Sequence, residues 1–174
     1  MRPPLSILFP LLLLPACGGS ASEAGQLSAT WTFGELSGQL VTTMAAVSCP
    51  GTRLVELTAT RGDTGVAILL LPADTAVTAG NYPVFPTVIA MEPRPGAMVA
   101  LRWFDLVRVE AFESLDGEVV VEGARSDGLS GRFSARLLGV ERLDTVMVQG
   151  SFSGVTPVPA GPDCGLTSRR NLTG

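Results

Sequence analysis

The chain has 174 residues, 16% of them charged, and a formal net charge of −4. It holds no histidine and no lysine, which removes the commonest general base, the commonest transition-metal ligand and Schiff-base chemistry. No basic block tracks along it as a phosphate backbone would require, so nucleic acid is not expected as a partner.

Arg2 and the amino terminus form a minimal positive region, and 5–14 is almost wholly apolar. That length suits a signal-peptide core and is too short for a membrane-spanning helix. It runs into Leu14-Pro15-Ala16-Cys17, which resembles the lipobox of bacterial lipoproteins over the first seventeen residues. Pro15 stands where that family usually has a small or aliphatic residue. The resemblance implies that Cys17 takes a diacylglyceryl group, that the bond before it is cut, and that the new amino terminus is acylated. An ordinary cleaved signal peptide with an incidental cysteine is the alternative. The small, polar stretch from Gly18 to Gly25 cannot bury enough surface to order itself, and as a coil it reaches about 15–20 Å. Gly18 is not the aspartate that retains some such lipoproteins at the inner membrane, which favours the outer one. The expected organisation is a signal peptide at 1–16, a lipidated cysteine and tether at 17–27, one β domain at 28–165 and a tail at 166–174.

With Cys17 lipidated, Cys49 and Cys164 are left as a pair in an exported chain, and a disulfide is expected between them. A loop of that size stabilises by roughly 4–5 kcal/mol in the chain-entropy model.

The mature chain reads as short runs rich in valine, leucine, threonine and phenylalanine, punctuated by glycine, Asp-Gly and proline. Strands are expected at 28–34, 39–47, 53–61, 65–71, 98–104, 106–114, 118–124, 131–139 and 144–153. The 39–47 segment also suits one face of a helix. Leu115-Asp116-Gly117 reads as a hairpin loop with Gly117 at positive φ, pairing Ser114 with Glu118 and Phe112 with Val120. That register puts Val107, Val109, Ala111, Val119 and Val121 on the core face and Arg108, Glu110, Glu118 and Glu122 outside. Arg132 and Arg136 would face the glutamates of the neighbouring strand as a cross-strand ladder. Gly131-Arg132-Phe133-Ser134 is echoed by Gly150-Ser151-Phe152-Ser153, and interior glycines of this kind mark bends.

Prolines 72, 83, 86, 93 and 95 forbid a regular central strand through 72–96. Short edge strands fit at 80–84 and 88–91. A connection this long is usually functional, so 72–96 is expected to form a binding rim, with Tyr82 and Phe85 giving contact area and Arg94 a charge. The other reading is a cover over an open sheet edge, with the aromatics turned inward. The apolar strand from Val66, the Ala79-Gly80-Asn81-Tyr82 turn and the two Gly-x-Phe-Ser strands resemble small all-β bacterial lipoproteins of unknown function, some of them lipocalin-like. This resemblance implies a fold class and no functional residues.

No nucleophile elbow or phosphate loop is present, and a serine–histidine–aspartate triad is impossible. The Asp-Gly pairs at 116–117 and 127–128 read as turns rather than calcium loops. Glu110, Glu118 and Glu122 are the candidate carboxylates for glycoside hydrolysis, but the nearby arginines make a solvated charge ladder the preferred reading. Trp31, Phe33, Tyr82, Phe85, Trp103 and Phe104 offer stacking surface for a ligand, or core. The reading taken forward is an all-β antiparallel barrel or sandwich, lipid-anchored in the envelope. It is read as a non-enzymatic binding or interaction module without cofactor or metal. Its partner would be a small apolar or sugar-like ligand, met by Tyr82, Phe85, Arg94 and Trp103, or another envelope protein. A carboxylate-dependent hydrolase and a purely structural lipoprotein are the alternatives. An empty interior points to a carrier, a filled core with a surface patch to docking, and converging carboxylates to an enzyme.

Overall fold

Alternating apolar residues generate ten strands among the residues that the computed structural model describes: 24–49, 53–86, 94–104, 109–125, 128–141 and 143–160. They are β1 (Gly25–Phe33), β2 (Leu36–Cys49), β3 (Leu54–Arg61), β4 (Thr64–Leu71), β5 (Gly80–Val84), β6 (Gly96–Phe104), β7 (Val109–Arg125), β8 (Gly128–Gly139), β9 (Thr145–Val155) and β10 (Pro157–Pro159). Eight of them close a ring of antiparallel pairs, β1-β2-β3-β4-β6-β7-β8-β9 and back to β1. The expected all-β class is what the chain adopts. Closure removes the sheet edges that an open meander would expose.

The chain enters the ring at Gly25, here called the proximal end. The β1–β2, β3–β4, β6–β7 and β8–β9 connections lie at the opposite, distal end. Two are tight hairpins whose first loop residue is a glycine at positive φ, Gly34 (59°) and Gly62 (57°). That arrangement matches the right-handed twist of the strands.

Inside the ring, Leu57, Ile68, Leu70, Val119, Leu137, Val146 and Val148 have no accessible surface. Zero exposure leaves no room for a water-sized sphere beside them, so this part of the interior is packed. Large and small residues alternate across β8 and β9: Phe133 lies opposite Gly150, and Gly131 opposite Phe152. A Cβ on Gly131 would sit 2.8 Å from the Phe152 ring, and one on Gly150 would sit 2.8 Å from the Phe133 ring. The sequence echo is therefore a reciprocal pair. Each phenylalanine covers the glycine facing it, which lets both strands coil tightly.

β5 fills a fork. β6 pairs with β7 from Ala100↔Glu113 to Phe104↔Val109 and then parts from it. β5 takes over the same edge of β7 from Val84↔Gly117 to Gly80↔Val121. The fork is pinned where the Phe85 amide donates to the Ala97 carbonyl (3.1 Å) and the buried Ser114 hydroxyl donates to the Phe85 carbonyl (2.7 Å). β10 does the same for β2, pairing with Ala46–Ser48 just past the start of β1, where Gly25 pairs with Met44.

Several expectations are corrected. The 106–114 and 118–124 strands are not a hairpin: β7 runs unbroken from Val109 to Arg125, with Ser114 opposite Leu137 and Glu118 opposite Ser134. A bulge between Ser114 and Asp116 inserts a residue and switches which parity faces inward. Phe112 and Ser114 point into the core before it, Val119 and Val121 after it, and Val109 is 52% exposed. Gly117 does have positive φ (136°), but at this bend rather than in a loop. The 39–47 segment is strand throughout, and β1 starts at Gly25, inside the stretch read as tether. The 80–84 strand is flanked on both sides rather than lying at an edge, while 88–91 and Val107 fall outside the described residues. β10 was not anticipated. The charge ladder forms as Arg132–Glu122 and Arg136–Asp116, about half exposed, and such pairs contribute roughly 0–1 kcal/mol each.

Candidate functional site

The residues singled out in the sequence are dispersed. Tyr82 is 2% exposed, and its hydroxyl donates to the Thr78 carbonyl and accepts from the Thr78 amide, both at 3.0 Å. Phe85 is buried with Cys49, Leu54, Leu71 and Met98 on the outer wall of the proximal end. Both side chains are consumed by packing, because β5 fills the fork instead of standing off as a rim. Arg94 is exposed and donates to the Pro72 carbonyl (3.2 Å), which ties the connection down. Cys17 and Cys164 lie outside the described residues.

Glu110, Glu118 and Glu122 share one strand. The strand rise puts Glu118 about 26 Å from Glu110 and about 13 Å from Glu122, and Glu122 is engaged by Arg132. The trio does not form the close carboxylate pair of a glycosidase. Glu118 lines a shallow trough of about 370 Å³ on the outer wall, with Ser28, Thr30, Arg132, Gln149 and Ser151. Among the described residues no three histidine, cysteine or acidic side chains cluster as a metal site would need.

Trp103 behaves differently. It stacks on Phe112 (4.9 Å between centroids) and on Trp31 (6.1 Å), and Phe33 meets it edge-on at 6.2 Å. These rings close the distal mouth of the barrel, with Trp31, Phe33 and Trp103 only partly buried. Around them the rim mixes exposed apolar side chains with the exposed Glu35, Arg61, Asp63, Glu141 and Asp144. Among the described residues, six of the eight exposed large hydrophobic ones lie at this end: Leu36, Phe104, Val109, Val140, Leu143 and Met147. Phe104 and Val109 are cross-strand partners. Val140 is held beside them, its amide donating to the Ala111 carbonyl at 2.9 Å. Arg102 lies 5.7 Å from the Phe104 ring centroid, a cation–π contact at the same rim. Scattered exposed apolar residues need no explanation, whereas here they collect at one end around an aromatic plug.

No family model, curated protein or solved structure matches the chain.

Proposed function

We propose that the protein is a lipid-anchored envelope lipoprotein whose barrel is a non-enzymatic docking module, engaging another envelope component through its distal end. One observation carries this reading: the exposed apolar side chains gather at the end opposite the point where the chain enters the barrel. A barrel held by Cys17 then turns that end away from its own membrane. The packed interior favours docking over carriage of a small ligand. The membrane expected from Gly18 is the outer one.

A Cys49–Cys164 disulfide belongs to the same reading. The Ala160 amide donates to the Ser48 carbonyl (2.9 Å), so the chain passes Cys49 with four residues left to Cys164. Four residues span at most about 14 Å, enough to turn back and close the bridge.

The anchor is tested by feeding labelled palmitate to cells making the full chain. Wild type is expected to take up label, partition into detergent and give cross-linked adducts in the envelope, and Cys17→Ser to lose all three. Equal labelling of both chains sinks the lipoprotein reading.

A further inference from the structure

We infer that the outer wall of the barrel holds a binding site of its own: the trough across β7, β8, β9 and β1 takes a neutral oligosaccharide. The site is independent of the distal end and of the anchor. None of the four residues expected from the sequence to meet a sugar-like ligand lies in it.

Charge is distributed unevenly around the ring. The neighbouring strands β9, β1 and β2 contain no acid and no base. Where the three pair, along 26–32 of β1, every outward position is exposed. All of them are serine, threonine or glutamine except Val41 and Met147. At the roughly 25–35% of charged side chains usual for a soluble surface, such a wall would carry about three or four charges. It carries none.

The trough begins on this wall and ends on β7. Two rows of outward side chains cross the four strands in register. One runs Thr30, Gln149, Ser134, Glu118, and the other Ser28, Ser151, Arg132, Val120. All eight line the same hollow of about 370 Å³. Each row spans about 14 Å at the usual strand spacing, and the two stand about 7 Å apart along the strands. A smaller hollow of about 130 Å³ continues past Gln149 to Thr32 and Met147. The inward-facing Phe133 and Gly150, whose packing coils β8 and β9, complete the lining. The walls are therefore strands already in place, and no backbone has to order when a ligand arrives.

The lining selects the ligand. Hydroxyl and amide groups donate and accept at once, so their best partner is uncharged and does the same at every position. Among the described residues, Ser28, Thr30, Glu118, Ser134, Gln149 and Ser151 form no side-chain hydrogen bond with one another, which leaves that capacity unspent. Arg132 gives one N–H to Glu122 and keeps others. With the Glu118 carboxylate it offers sugar hydroxyls charge-assisted bonds at the β7–β8 end. A protein partner, or a second copy, fits less well: interface cores favour aromatic residues, methionine and arginine, and are poor in serine. An anionic chain would meet a single arginine that already faces an acid, and an apolar ligand would leave the hydroxyls without partners.

The test is amide chemical-shift mapping of the isotope-labelled full chain in a sugar-free detergent. The probes are the hexaoses of glucose, mannose and N-acetylglucosamine, with oligogalacturonate of equal length as the charged comparison. At about 10 mM sugar, suited to the weak affinity of a shallow polar site, at least one neutral hexaose should shift the amides of 28–30, 132–134 and 149–151. Oligogalacturonate should leave them unmoved. Glu118→Gln, at an exposed position, should keep the fold and weaken binding about tenfold, the size of one charge-assisted hydrogen bond. Glu113→Gln, on the same strand but outside the trough, should titrate like wild type. The proposal is overturned if no neutral hexaose shifts these amides, if oligogalacturonate shifts them as strongly, or if Glu118→Gln binds like wild type. Shifts that follow protein concentration alone would assign the wall to a second copy. Shifts confined to Trp31 and Trp103 would move the sugar to the distal plug. Either result overturns the trough as the site.

Discussion

Gly131→Ala and Gly150→Ala should each cost about 3 kcal/mol, a large part of the 5–15 kcal/mol that holds a typical domain together. Alanine is otherwise the better strand residue by roughly 0.5–1 kcal/mol, so the loss must come from contact. At Gly131 the added methyl meets the Val120 carbonyl and the Phe152 ring, and at Gly150 the Ser28 carbonyl and the Phe133 ring. A carbonyl oxygen cannot step aside without moving its strand. Gly123→Ala is the control: its new methyl meets only the Ser130 hydroxyl, at 2.6 Å, which can rotate. Urea unfolding midpoints report all three. Near-wild-type stability in both Gly131→Ala and Gly150→Ala would mean that the reciprocal glycine–phenylalanine packing does not shape this wall.

Removing the fork filler should be more damaging still. Tyr82→Ala deletes a ring that is 2% exposed, at about 3–5 kcal/mol. Replacing 80–85 with a Gly/Ser linker removes Val84 and Phe85 as well. The total, on the order of 6–10 kcal/mol, rivals the stability of the whole domain. The Ser114 hydroxyl and the Ala97 carbonyl bond the Phe85 backbone, so they lose their partners as well once a linker without anchoring side chains leaves the fork. Circular dichroism of the linker variant should show a chain that does not fold. A folded variant of near-normal stability would restore the idea that this connection stands off the barrel as a rim.

Much of this architecture was readable before any coordinates, because a strand with one wet face writes its period into the sequence. Phe133, Ala135 and Leu137 against Arg132, Ser134 and Arg136 left little choice of register. The reading broke at Leu115-Asp116-Gly117, where a bulge and a hairpin make the same mark: a parity change around a glycine. Local pattern cannot separate them, since only pairing with β8 tells whether the chain turns back. β10 was missed because Pro157 and Pro159 argue against a ladder, and a short strand at a sheet margin tolerates them. The candidate site was the least readable. Leu36, Phe104, Val109, Val140 and Leu143 belong to three different connections, and only ring closure carries those connections to one end.

The most direct measurement of the docking claim is in-cell cross-linking of the paired variant Val140→Glu with Leu143→Glu. Both positions are well exposed, at 60% and 88%, so stability should shift by no more than about 0.5 kcal/mol per site. Val158→Glu, at the proximal end and 54% exposed, serves as the matched control. The account predicts that the distal pair loses the envelope adduct while its unfolding midpoint holds, and that Val158→Glu keeps both. An adduct that survives the distal charges, or that Val158→Glu removes instead, would contradict it.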